Sequence, residues 1–217
     1  MSKRDRFDLS VYVIIDPAIC GDAHIDEVTR AALDGGATFL QLRNKVDTED
    51  IIEKQARRIM GILTDPAYAN ISFVIDDYVE LAVKLDADGV HVGQGDMDFK
   101  AARDLIGEDK ILGLTAFTHE HYEALDPGVV DYVGTGPIFP TLTKPDKAVL
   151  GIEAFTNFVK NPPVPVVGIG GITPKNAGEV IKAGAHGVAM IRAVVGDVDP
   201  KAATQDFSTV VKEARDL

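Results

Sequence analysis

The chain is poor in cysteine, with one residue, Cys20, in 217. A single thiol cannot close an internal disulfide, which argues against the disulfide-stapled secreted class and fits a reducing compartment. Cys20 has no visible activating partner and is read as inert. Long apolar runs are also missing, and none approaches the roughly 20 residues of a membrane-spanning helix. Residues 1–10 are polar and charged, without a secretory pattern, and read as a flexible lead-in to one domain over 11–217. Together these features predict a cytoplasmic protein with no membrane partner. Positive charge is scarce. A net charge of −12 works against sequence-independent nucleic-acid binding, which depends on neutralising phosphates with Lys and Arg, so no nucleic-acid partner is expected. Any phosphate site in this field must be local, built from backbone amides, helix N-termini, a few cations or a metal. The five histidines are scattered without ligand spacing, which argues against zinc.

What is present is an ordinary globular composition, 46% hydrophobic and 26% charged. A chain of this length buries about 70% of its unfolded surface and needs no staples. Strand-like apolar runs alternate with amphipathic runs from end to end. Strands are predicted near 11–15, 39–42, 72–75, 89–92, 111–114, 132–134, 166–169 and 188–191. Several are continuous runs of β-branched and large apolar residues, the pattern of strands buried on both faces. Helices are predicted at 25–33, 48–63, 78–84, 99–105, 119–125, 152–159, 174–183 and 200–215. Thr173-Pro174 and Asp199-Pro200 each read as an N-cap followed by proline at the first helical position. Eight β/α units in this length predict the α/β class and a single (β/α)8 TIM barrel with short loops. The runner-up, an open doubly wound sheet, lacks its early glycine fingerprint after the first strand.

In such a barrel the active site lies at the C-terminal ends of the strands. The residues there are Asp16 after the first strand, then Gln41, Arg43 and Lys45, then Asp76 and Asp77, then Gln94 and Asp96. Thr115 follows the fifth strand, and Thr141, Thr143 and Lys144 the sixth. Gly170 and Gly171 follow the seventh, and Ile191 and Arg192 the eighth. Carboxylates at neighbouring strand ends suit an oxygen-loving divalent ion, and magnesium takes one or two carboxylates plus substrate phosphates. The basic residues suit a diphosphate, and the Gly-Gly turn offers amides to a second phosphate. Each residue also has a plainer role. Asp76-Asp77 could cap the helix starting near Tyr78. Lys45 and Lys144 could be solvated surface lysines, and Thr141 and Thr143 local turn hydroxyls. His91, alone among alternating strand residues, is read as structural.

The motifs QLRNK at 41–45, DGVHVGQGD at 88–96, GPIFPTLTK at 136–144 and GIGGI at 168–172 occur in order, each at a strand end. With them the chain resembles the thiamine phosphate synthase family from about Val11 to Val194. The resemblance implies condensation of a hydroxymethylpyrimidine diphosphate with a thiazole phosphate, releasing pyrophosphate. It implies Gln41 on the pyrimidine and Arg43, Lys45 and Lys144 on the diphosphate. Asp77 and Asp96 would hold Mg2+, and Thr115 would stand where the family has a serine near the pyrimidine and diphosphate. Arg43, Lys45, Thr115 and Lys144 would form the catalytic set. Thr141 and Thr143 would contact the thiazole substrate, whose phosphate would lie on Gly170 or Gly171 and the backbone of Ile191 and Arg192. The partners implied are phosphorylated small molecules, and a homo-oligomer is compatible with the sequence.

Four positions depart from the family pattern. Asp76 stands where an asparagine is usual and brings an extra negative charge toward the diphosphate; it is expected to join the metal shell or to be partly protonated. Thr115 adds a methyl, Asn44 replaces an acid in what reads as a mild change, and Arg192 replaces a serine. The competing readings are a thiazole tautomerase, which would have no diphosphate to bind, and a non-catalytic thiazole-phosphate-binding regulatory paralogue.

Overall fold

A computed structural model describes residues 2–143 and 148–216. Eight parallel strands close into a barrel in sequence order: β1 (Val11–Ile15), β2 (Phe39–Leu42), β3 (Ser72–Asp76), β4 (Gly89–Val92), β5 (Ile111–Thr115), β6 (Tyr132–Thr135), β7 (Val166–Ile169) and β8 (Gly187–Met190). β8 pairs back onto β1, with Val11 opposite Val188. The helices are α1 (Pro17–Cys20), α2 (Ile25–Asp34), α3 (Glu49–Leu63), α4 (Val79–Leu85), α5 (Phe99–Ile106), α6 (His119–Glu123), α7 (Ile152–Val159), α8 (Pro174–Lys182), α9 (Arg192–Val195) and α10 (Pro200–Arg215). The predicted barrel is the one observed. The short α1 and α9 were not foreseen, because one turn of helix leaves no periodicity to read.

Strand side chains alternate between two hydrophobic clusters, as the period of two requires. Val13, Ile15, Leu40, Leu42, Ile75, Val90, Val92, Leu112 and Leu114 join the cluster shared with the surrounding helices. Tyr12, Ile14, Phe39, Val74, Ile111, Tyr132, Val167 and Ala189 form a second cluster inside the barrel. Burying both faces explains why the strands lack polar alternation. Gly113 makes room in the interior: a Cβ there would lie 2.2 Å from Tyr132 Cζ and 2.5 Å from His91 Nδ1. β3 and β5 each run one residue further than expected, so Asp76 and Thr115 end strands instead of opening loops.

Part of the segment read as a flexible lead-in makes tertiary contacts. Residues Lys3–Asp5 form a 3-10 turn. The Arg4 guanidinium bonds Asp131 Oδ1 at 2.7 Å, Glu108 Oε2 at 2.9 Å and the Gly128 carbonyl at 2.9 Å. Phe7 packs edge-on against Phe39 and is tilted against Tyr132, closing the floor of the barrel with Tyr12. Every partner of Arg4 beyond its own turn lies more than a hundred residues away, so a reading of local polarity could not find it. Among the described residues no helix is long and apolar enough to cross a membrane.

Candidate active site

The C-terminal ends of β1 to β5 carry several groups of paired polar side chains. Gln41, nearly buried at the end of β2, donates from Nε2 to Asp76 Oδ1 at 2.6 Å. The other oxygen of Asp76 lies 2.9 Å from Lys45 Nζ, and Lys45 also pairs with Asp77. One ammonium thus stands between two carboxylates. Asp76 is 8% exposed, so its charge needs such a partner. The extra carboxylate that Asp76 brings to the mouth stands against the Lys45 ammonium. Asp76 and Asp77 do not cap a helix. α4 begins at Val79 with Tyr78 as its N-cap residue and no side-chain cap bond. Asp77 adopts a left-handed φ of 66°, a conformation Asp tolerates better than most residues, and its N–H donates to the His91 carbonyl at 2.8 Å.

Arg43 follows β2 directly. Its N–H donates to the Ile15 carbonyl at 2.9 Å and its guanidinium pairs with buried Asp16. Asp16 has a second task, accepting from Ala18 N–H at 3.0 Å as the N-cap of α1. Asn44 is 2% exposed and uses both ends of its amide. Nδ2 donates to Asp47 Oδ2 at 2.7 Å and Gln55 Oε1 at 2.8 Å, while Oδ1 accepts from the Val46 and Asp47 N–H groups. An ionised acid could only accept, so this departure is knitted into the loop that carries Arg43 and Lys45 and is more than a mild change.

Thr115 Oγ1 lies 3.0 Å from His91 Nε2, and its carbonyl accepts from Gln94 Nε2 at 2.6 Å. Behind the β5 end, Thr135 donates to the Ala116 carbonyl at 2.7 Å and is bonded to Tyr122, whose phenol burial pushes up to about 12. Asp96 sits in the loop after β4, where its Oδ2 accepts from Gly93 N–H at 2.9 Å. On the far side of the mouth, the loop after β6 lies on the turn after β7. Ile138 N–H donates to the Ile169 carbonyl and Phe139 N–H to the Gly170 carbonyl, each at 3.0 Å. Gly170 and Gly171 have φ values of 93° and 65°, and a Cβ on Gly171 would lie 2.4 Å from the Pro140 carbonyl oxygen. Only glycine combines that backbone with that approach. Thr141 Oγ1 accepts from Thr143 N–H at 3.3 Å, a local turn bond. Ile191 packs against the interior cluster and caps α9. Arg192 is exposed and makes no ion pair among the described residues. Lys144 lies outside the described residues.

The structure therefore joins Gln41, Lys45, Asp76 and Asp77 in one network, with Arg43 and Thr115 each fixed by a further partner. Sequence reasoning placed Asp16 and Gln94 at strand ends and assigned them nothing. Their position was the available signal; their partners are tertiary.

The model of the thiamine monophosphate synthase family matches residues 11–194. A thiamine-phosphate synthase of Psychrobacter sp. is 38% identical over 203 residues, covering 91% of this chain and 92% of that protein. One from Roseiflexus sp. is 40% identical over 209 residues, covering 95% and 86%. The solved thiamine phosphate pyrophosphorylase from Pyrococcus furiosus superimposes with a TM-score of 0.85 at 34% identity, covering 97% of this chain and 98% of that one. With its family model spanning most of the barrel, and relatives of this identity matched nearly end to end, the chain belongs to the thiamine monophosphate synthase family.

Proposed function

We propose that the chain is a transferase that condenses hydroxymethylpyrimidine diphosphate with hydroxyethylthiazole phosphate, giving thiamine phosphate and pyrophosphate. The observation that carries this reading is the network of Gln41, Lys45, Asp76 and Asp77 at the barrel mouth, with Arg43 held beside it by Asp16. A tautomerase acting on the thiazole phosphate alone would have no use for so many charged groups on the β2 and β3 side.

Gln41, held by Asp76, orients the aminopyrimidine ring. Arg43 and Lys45, with Lys144 of the sequence motif at 136–144, bind the diphosphate. As the bond from the pyrimidine methylene to diphosphate breaks, negative charge grows on the leaving group. Cations fixed beforehand stabilise it without reorganising. The electron-rich aminopyrimidine carries the resulting positive charge until the thiazole nitrogen attacks, so no enzyme nucleophile is required. The Gly170-Gly171 turn and the backbone at Ile191 and Arg192 hold the thiazole phosphate, with Thr141 and Thr143 beside the ring. Holding both substrates in line supplies much of the acceleration.

Among the described residues no group of three or more His, Cys, Asp or Glu could hold a metal. A magnesium ion that completes its shell with phosphate oxygens and water needs only one or two carboxylates. Asp77 and Asp96, on successive strand-end loops, fit that donor set and are the residues that would hold it. Bound there, the ion would supply further positive charge to the diphosphate.

A turnover assay tests the reading. Purified protein, both substrates and magnesium should yield thiamine phosphate and pyrophosphate together, and Lys144→Ala should abolish both. Absence of product, with thiazole phosphate still bound, would refute it.

A further inference from the structure

A file of hydrogen bonds runs up the barrel interior from floor to mouth. The Tyr12 and Tyr132 hydroxyls are 2.8 Å apart, Tyr132 Oη is 3.1 Å from His91 Nδ1, and His91 Nε2 is 3.0 Å from Thr115 Oγ1. The residues come from β1, β6, β4 and β5, and Asp76, His91, Gly113 and Tyr132 share one level of the barrel. The first three members of the file have no part in the reaction derived above.

Counting protons gives the file a direction. It has three links, with hydroxyl protons on Tyr12, Tyr132 and Thr115 and at least one imidazole N–H. Tyr12 is buried, and its hydroxyl has no other hydrogen-bond partner among the described residues. A buried O–H without an acceptor is costly, so the Tyr12 proton points at Tyr132. The Tyr132 proton then points at His91 Nδ1, which leaves Nε2–H directed at Thr115 Oγ1. Reversing the file, or protonating both ring nitrogens, strands a hydroxyl proton at the floor. Burial raises both phenols well above the usual tyrosine range and keeps them protonated. Asp76, the register partner of His91, has its oxygens engaged by Gln41 and Lys45.

We propose that Tyr12, Tyr132 and His91 are positioning residues that fix Thr115 as a hydrogen-bond donor toward the substrate, so that the atom it meets is an acceptor of the pyrimidine diphosphate. The proposal rests on the assignment of Thr115 to that substrate's site. With its oxygen already accepting from Nε2–H, the Thr115 hydroxyl proton is left to face the mouth before substrate arrives. A donor aimed in advance needs no reorganisation when charge develops.

Nitrogen-15 NMR of histidine-labelled protein at neutral pH tests the direction, with His91 assigned by loss of its signals in His91→Gln. The expected signature is an unprotonated Nδ1 and a protonated Nε2. A protonated Nδ1, alone or in an imidazolium, overturns the proposal. Kinetics test the consequence. His91→Leu should lower kcat by about ten- to a hundredfold, the loss of one hydrogen bond to a charged group, with the thiazole phosphate KM unchanged. His91→Gln, which keeps an N–H at the ε position, should recover most of kcat. Tyr132→Phe should keep the fold and move the NMR signature toward mixed tautomers. Full activity in His91→Leu, or equal losses in the Leu and Gln variants when both are folded, would overturn the positioning role. The NMR result needs no turnover. A wild type with the Nε2–H signature that makes no thiamine phosphate would support the direction of the file and overturn the reaction assignment instead.

Discussion

Replacing Asp76 with asparagine should tighten binding of magnesium pyrophosphate about tenfold, or about 1.4 kcal/mol, and lower the stability of the free protein by about 1 kcal/mol. The Asp76 carboxylate lies 2.9 Å from Lys45 Nζ. At that distance Coulomb's law gives an attraction of about 1.4 kcal/mol in a water-like dielectric and about 6 kcal/mol at an effective dielectric of about 20. The Lys45 side chain is 38% exposed, so desolvation, side-chain entropy and screening leave a net contribution near the low end. Asparagine keeps an acceptor for Gln41 but removes one of the two carboxylates that hold Lys45. The released ammonium then turns to the diphosphate. A diphosphate oxygen about 4 Å from Asp76 would be repelled by about 1 to 4 kcal/mol over the same dielectric range, and the variant loses that repulsion too. Titration calorimetry at fixed ionic strength measures the affinity, and urea denaturation the stability. Weaker binding in a folded Asp76→Asn protein would refute the reasoning and place Asp76 among the metal ligands. Unchanged binding would mean that the diphosphate lies too far away to feel this charge.

Arg103→Leu should destabilise the fold by about 3–5 kcal/mol, the cost of breaking a buried ion pair. The nearly buried guanidinium donates to Asp131 and to the carbonyls of Gly107, Lys110 and Val129. Urea denaturation measures it, and kcat of the folded variant should be unchanged. Gly113→Ala should cost at least about 3 kcal/mol, the upper end for overpacking, because its Cβ would lie 2.2 Å from Tyr132 Cζ. Gly171→Ala should raise KM for the thiazole phosphate with little change in KM for the pyrimidine diphosphate, since the β7 turn and the β6 loop that rests on it must move together. His186 sets a pH dependence. Desolvation of its ring, ahead of repulsion by Arg215, lowers its pKa in the folded protein, and its Nδ1 accepts from Val166 N–H at 3.1 Å. The unfolded chain therefore binds the proton more readily, and stability should fall as pH drops below the unfolded value of about 6.5. His186→Asn should remove that part of the slope in thermal melts.

The alternation of doubly apolar strands with amphipathic helices determined the barrel, because burial on both faces and a helical period leave direct marks in the sequence. The order of the strands then placed Gln41, Arg43, Lys45, Asp77, Thr115 and the Gly170-Gly171 turn at one end, since in this fold the residues at the C-terminal end of every strand face the mouth. Tertiary structure alone decided the pairings. Asp76 meets Lys45 across two strand ends, Arg43 meets Asp16 across another two, and Arg4 finds Asp131 across most of the chain. His91, plain in the sequence, gains its place from Gly113, whose missing side chain lets the histidine and Tyr132 meet inside the barrel. Periodicity reports which face a residue occupies. It carries no record of which residue on a distant strand stands opposite, because that depends on how the barrel closes and on the space left by side chains far away in sequence.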